Sequence, residues 1–146
     1  MTTKDKRGHK VTPSKEDYLK AIWKLSEERS SDEAGTGDLA QHLGVSPPAV
    51  SRMLKQMEQR DLVAYIPYYG VRLTPTGRGI ALKIVRRHRL LELFLTKMLG
   101  YSLNTVHDEA ERLEHHISEE FEQRIAVLLE HPGYCPHGSP IPAAHN

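Results

Sequence analysis

Thr36-Gly-Asp-Leu-Ala-Gln-His-Leu-Gly-Val-Ser-Pro-Pro-Ala-Val50 is the stretch whose reading decides the fold. Thr36 to Leu43 reads as a short helix, and Gly44 is the residue type that ends a helix in the left-handed conformation. Ser46 is a natural N-cap and Pro47 fits the first position of the next helix, where a missing N–H costs nothing. Val50, Met53, Leu54 and Met57 recur at helical spacing and predict that helix's buried stripe. Two helices joined by Gly-Val-Ser have the spacing of a helix-turn-helix. The outward residues of the second helix are Ala49, Ser51, Arg52, Lys55 and Gln56. They are small, hydrogen-bonding or basic, which suits a DNA major groove.

Working outward, Asp61-Leu-Val-Ala-Tyr-Ile-Pro-Tyr-Tyr-Gly-Val-Arg-Leu-Thr74 follows directly. Two β-rich runs flank Tyr-Tyr-Gly, the pattern of a hairpin. A hairpin directly after a helix-turn-helix makes a winged helix. Tyr68, Tyr69 and Arg72 near its tip are placed to reach backbone phosphates. On the N-terminal side, Pro13-Ser-Lys-Glu-Asp17 opens a helix running to about Glu28, with Ser14 as the expected cap and Asp17 at the N3 position. Tyr18, Ile22, Trp23 and Leu25 form its buried face. Residues 1–11 read as a disordered basic arm.

Beyond the hairpin, Thr74 and Pro75 begin a helix of some 24 residues ending at Gly100, apolar on more than one face, as in a core spine or a dimer seam. Its polar side carries His88 and Glu92 at i, i+4. Ser102 is expected to cap a last long helix, Leu103 to about Glu130, with Ser118 marking a point where it can divide. On that helix His107, Glu111, Glu114 and His115 fall at i, i+4, i+7 and i+8, hence on one face. One such row is ordinarily a solvated face. A second row on a neighbouring helix changes the reading, because clustered charges in an interior must be paired or hold a metal. Seven candidate ligands result: Asp17, His88, Glu92, His107, Glu111, Glu114 and His115. They exceed the need of one ion, so two ions per chain are expected. The set is carboxylate and imidazole, which suits Mn²⁺ first and Fe²⁺ second, while Zn²⁺, Cd²⁺, Co²⁺ or Ni²⁺ can substitute in vitro. Cys135 and His137, in the Pro/Gly-rich segment after His131, are also ligand types, but a thiol on a mobile tail is expected to be incidental.

Composition bounds the rest. With 38% hydrophobic and 27% charged residues, the 146-residue chain reads as globular, and no apolar run approaches a membrane span. There is no secretion-type leader, and the single cysteine excludes an internal disulfide framework. A cytoplasmic location without membrane contact is expected. The net charge of +1 hides an uneven distribution: seven acids and one base lie between His107 and Glu122. A winged-helix regulator sensing a small organic ligand is the alternative, and it predicts no metal response. An enzyme is not expected, since nothing in the pattern supplies a substrate cleft.

From Thr12 to Pro142 the chain resembles the diphtheria-toxin-repressor family of metal-dependent transcriptional repressors, which includes iron-dependent regulators and the manganese transport regulator. The resemblance rests on Pro-Ser-Lys-Glu-Asp-Tyr-Leu (13–19), Gly-Val-Ser-Pro-Pro-Ala-Val-Ser-Arg-Met (44–53), Leu-Thr-Pro-Thr-Gly (73–77), Arg-His-Arg-Leu-Leu-Glu (87–92) and His-Asp-Glu-Ala-Glu-Arg-Leu-Glu-His-His (107–116). It implies a mainly α protein with a winged helix-turn-helix over 12–75, a helical dimerisation and metal-binding domain over 76–142, and a tail over 143–146. It implies a homodimer that binds a palindromic double-stranded DNA operator when metal is present and controls metal-homeostasis genes. Residue by residue, Asp17, Glu111, Glu114 and His115 match the family's primary metal site. Asp17 and Glu111 are as in the manganese branch, where the iron branch has Met and Cys. His88, Glu92 and His107 match the iron branch's ancillary site. Lys20 replaces a glutamate ligand of the manganese branch, which favours two separated sites over a tight pair of ions. Ser-Pro-Ile-Pro (139–142) corresponds to the junction with the iron branch's SH3-like domain, which is not expected here. Ser46, Pro48, Ala49, Ser51, Arg52, Lys55 and Tyr69 are expected to meet DNA, with Arg52 reading a base.

Overall fold

The computed structural model describes residues 3–144 and divides them into two compact units, Thr3–Leu82 and the chain from Lys83 onward. Its elements are α1 (Pro13–Glu28), α2 (Thr36–Leu43), α3 (Pro47–Gln59), β1 (Val63–Ile66), β2 (Gly70–Leu73), α4 (Pro75–Leu99), α5 (Val106–Leu113) and α6 (Glu119–Leu128). The mainly helical class is borne out. No helix among the described residues is long and apolar enough to cross a membrane.

In the first unit, α1, α2, α3 and the hairpin close over Leu19, Ile22, Leu39, Val50, Leu54 and Met57, all fully buried. The helix-turn-helix forms as the local signals require. Gly44 ends α2 at φ 68, and Ser46 caps α3 by accepting from the Ala49 N–H at 3.3 Å. The wing is antiparallel, in register Val63↔Leu73 to Ile66↔Gly70. Val71 also pairs with Ala34, a bridge the sequence did not announce. Gly70 is required there, because at φ 135 any Cβ would stand 2.7 Å from the Ala34 carbonyl oxygen.

Two expectations change in this unit. Thr12, not Ser14, caps α1: its hydroxyl accepts from the Lys15 N–H at 3.3 Å, because Pro13 occupies the first helical position. Asp17 consequently lies a full turn into the helix. The arm is also not disordered, although Met1 and Thr2 lie outside the described residues. Lys4 bridges Lys10, Gly8 turns at φ 80, and Asp5 accepts from the backbone N–H groups of Arg7 and His9 at 2.9 Å each. Arg60 Nε donates to Asp5 Oδ2 at 3.0 Å, and Val11 is fully buried. Asp5 and Gly8, at the first and fourth positions of a turn, were the overlooked signal.

In the second unit, Leu90 and Leu91 of α4 pack with Ala110, Ile117, Ile125 and Ala126. Buried Glu122 ties α6 back to α4 by accepting from Arg86 Nε at 3.1 Å and Arg87 Nε at 2.8 Å. The single last helix expected from Leu103 divides. Thr105 rather than Ser102 precedes α5, and Ser118 caps α6 by accepting from the Phe121 N–H at 3.1 Å. Glu119, Glu120 and Glu122 then sit in α6's first turn, where the helix dipole favours acids.

Candidate metal centre

Six of the seven expected ligands belong to the second unit. α4 carries His88 and Glu92 one turn apart, and α5 carries His107 and Glu111 in the same relation. Glu114 is the C-cap residue of α5, and His115 follows as the chain leaves the helix. The break before Ser118 is what lets these two side chains leave the helical face.

His88 links the whole set. Its Nδ1 is 2.9 Å from Glu114 Oε2, and its Nε2 is 3.1 Å from Glu92 Oε1 and 3.2 Å from His107 Nδ1. His107 Nε2 reaches Glu111 Oε1 at 3.4 Å, and His115 Nε2 lies 3.6 Å from Glu114 Oε1. Two overlapping groups, His88–Glu92–His107 and His88–Glu111–Glu114, each offer ligand atoms within 4.8 Å of one another. Glu92 and Glu114 are 3% and 0% exposed. Burial of two carboxylates requires positive charge beside them. Burial pushes the Glu92 carboxyl up, but the hydrogen bond from His88 and the charges of His88, His137 and His107 outweigh it and hold the group below its ordinary value. Even so, the buried Oε2 of Glu92 receives no hydrogen bond from the described residues. An orphaned carboxylate oxygen among imidazoles fits a divalent cation.

Asp17 lies in the first unit, exposed on α1, and its membership of the set rests on the sequence motif. Sequence reasoning set aside two residues that the fold brings to this place. Cys135 is 6% exposed, and His137 Nδ1 is 3.1 Å from Glu92 Oε2. In the first unit, Ser46, Pro48, Arg52 and Lys55 are exposed, Ala49 and Ser51 are half-buried, and Tyr69 projects from the wing tip.

Residues 10–71 match the family profile described as the iron dependent repressor, N-terminal DNA binding domain, and residues 74–143 match its metal binding and dimerisation domain. The chain is 39% identical over 125 residues to the diphtheria toxin repressor of Corynebacterium diphtheriae, covering 86% of this chain and 54% of that one. It thus spans about half the length of that relative. It is 38% identical over 120 residues to the HTH-type transcriptional regulator MntR of Geobacillus kaustophilus, covering 82% and 83%. Among solved structures, a manganese-dependent transcriptional repressor in complex with manganese is similar at a TM-score of 0.81 and 45% identity, covering 89% of this chain and 59% of that one. The chain belongs to the iron-dependent repressor family, with both its DNA-binding and its metal-binding and dimerisation domains.

Proposed function

We propose that the chain acts as a homodimeric, metal-dependent transcriptional repressor that binds a palindromic operator and controls metal-ion homeostasis genes, with Mn²⁺ its first effector and Fe²⁺ the second. The observation that carries this reading is the buried His88–Glu92–Glu114 network with the orphaned Glu92 oxygen. The proposed primary ligands are Asp17, Glu111, Glu114 and His115, and the ancillary ligands are His88, Glu92 and His107. The all-oxygen-and-nitrogen primary set supports Mn²⁺, a hard ion, over thiophilic metals. The similarity to a repressor solved with manganese supports the same choice. Exposed Val127, Leu128 and Phe121 on α6 offer apolar surface for a second copy.

A bound divalent cation supplies positive charge that offsets the clustered carboxylates. Glu111, Glu114 and His115 hold it from the second unit, and Asp17 holds it from the first. In this mechanism Asp17 thereby couples the DNA-binding unit to the ligand cluster, so metal occupancy biases the spacing of two α3 helices towards successive major grooves, about 34 Å apart. Arg52 reads a base edge, while Lys55 and Tyr69 grip phosphates.

The test selects duplexes from a random pool in the presence of Mn²⁺ and measures their affinity by fluorescence anisotropy. Binding should require Mn²⁺, disappear with chelator, and be lost in Glu111→Ala and His115→Ala. Metal-stimulated binding that persists in both variants would sink the proposal. Counting bound Mn²⁺ by electron paramagnetic resonance should give two ions for the natural chain and one for His107→Ala. Arg52→Ala should cost about 1–3 kcal/mol and relax preference at one base pair, whereas Lys55→Ala should weaken all sequences alike.

A further inference from the structure

We propose that Glu92, Cys135 and His137 form a further cation site, built for a borderline ion of the Zn²⁺ class rather than for Mn²⁺. It goes beyond the repressor reading, which uses neither Cys135 nor His137. Ligand atoms of the three side chains lie within 4.8 Å of one another, and His137 Nδ1 is 3.1 Å from Glu92 Oε2. In a tetrahedral site with bonds of 2.0–2.3 Å, neighbouring ligand atoms stand about 3.3–3.8 Å apart. Only small side-chain adjustments separate the observed arrangement from that geometry.

Three further observations support the site. The Glu92 oxygen that faces His137 is the same buried atom that receives no hydrogen bond from the described residues. The tail holding the thiol is a folded loop. Cys135 donates its N–H to Ser139 O at 2.9 Å, its carbonyl accepts from the Gly138 N–H at 3.0 Å, and Tyr134 bridges Pro140. Pro136 and Gly138, the latter at φ 87, are the residue types such a turn demands. Arg89 and Arg86 of α4 pin the loop by donating to the carbonyls of Pro140 and Pro142. Arg89 also attracts Cys135 and Glu92 electrostatically, which favours the thiolate needed for ligation.

A buried cysteine often behaves only as a small apolar side chain. Here it lies beside a carboxylate oxygen without a donor and an imidazole, so an apolar filler would leave that oxygen unsatisfied. Thiolate, imidazole and carboxylate together select a softer ion than the carboxylate-rich set on α5 does. Three protein ligands leave the fourth position to water. Binding converts the Cys135 thiol to thiolate and releases its proton to solvent, so affinity should rise with pH.

The test titrates the reduced, metal-free full chain with Co²⁺ and follows near-ultraviolet absorption. Expected is a saturable thiolate-to-cobalt charge-transfer band that one equivalent of Zn²⁺ bleaches. It should be absent in Cys135→Ser and shifted about tenfold or more in affinity in His137→Ala. No band in the natural chain would overturn the proposal, and so would a band of unchanged affinity in His137→Ala. Thermal unfolding of each metal-free variant verifies that it is folded. Mn²⁺ counting on Cys135→Ser should match the natural chain. The band and Mn²⁺-dependent DNA binding are separate readouts, so failure of either proposal leaves the other standing.

Discussion

Gly77 and Gly79 stand two residues apart in the first turns of α4 with opposite surroundings. A Cβ on Gly77 would lie 2.0 Å from the Leu62 carbonyl oxygen and 3.3 Å from Leu19 Cδ2, whereas one on Gly79 meets nothing within 4 Å. Backbone cannot yield as a flexible side chain can. Gly77→Ala should therefore lose about 3 kcal/mol in urea unfolding. Gly79→Ala should gain about 0.5–1 kcal/mol from the lower entropy of the unfolded helix residue. Asp5 sets a pH dependence. Burial pushes its carboxyl up, but the N–H of His9, the Arg60 guanidinium and the N–H of Arg7 outweigh this and hold it below the ordinary aspartate value. A depressed carboxylate stabilises the fold fully above its unfolded value of about 3.9, and the contribution vanishes as pH falls through the folded value. Asp5→Asn should lower the melting temperature at pH 7, and its curve should converge on the natural chain's in acid.

Among elements, the division between α5 and α6 matters most. An unbroken helix would satisfy the backbone equally well, yet it would keep Glu114 and His115 in a straight row. Ser118 makes the break favourable by turning extended (φ −82, ψ 165) and capping the new helix. Ser118→Ala should cost about 1 kcal/mol, and Ser118→Gly only a few tenths, measured by denaturant unfolding. Residues at this scale were partly legible beforehand. Ser118 was recognisable as a break point because Ser favours caps, and the helical spacing of His107 with Glu111 was read correctly. The start of α5 at Val106 was not readable, because Ser102 and Thr105 are equally good caps in isolation.

At the scale of the whole molecule, cation binding links to folding by mass action. If Mn²⁺ binds only the folded chain, a concentration 100 times the dissociation constant adds about 2.7 kcal/mol. For a chain of this length that raises the melting temperature by about 5–10 °C. Scanning calorimetry with and without Mn²⁺ should show the shift. Glu111→Ala should reduce it, since a carboxylate proposed to hold the ion is gone. The bridge of Val71 to Ala34 and the folding of residues 3–11 also belong to this scale. Each joins segments whose own patterns say only loop or arm.

The sequence by itself determined the helix-turn-helix, the wing, the long α4 and the row of ligand-type residues. All of these follow from spacing, caps and turn residues that act within a few positions of one another. The tertiary structure alone decided that Asp5 meets Arg60, that His88 joins Glu92 to Glu114, and that Cys135 and His137 come to Glu92 instead of trailing in solvent. These meetings depend on how separate elements pack, and on Arg86 and Arg89 holding a distant loop. Local periodicity cannot encode which side chains face each other across more than 40 residues of intervening chain, because that choice is made by the burial of apolar surfaces elsewhere in the core.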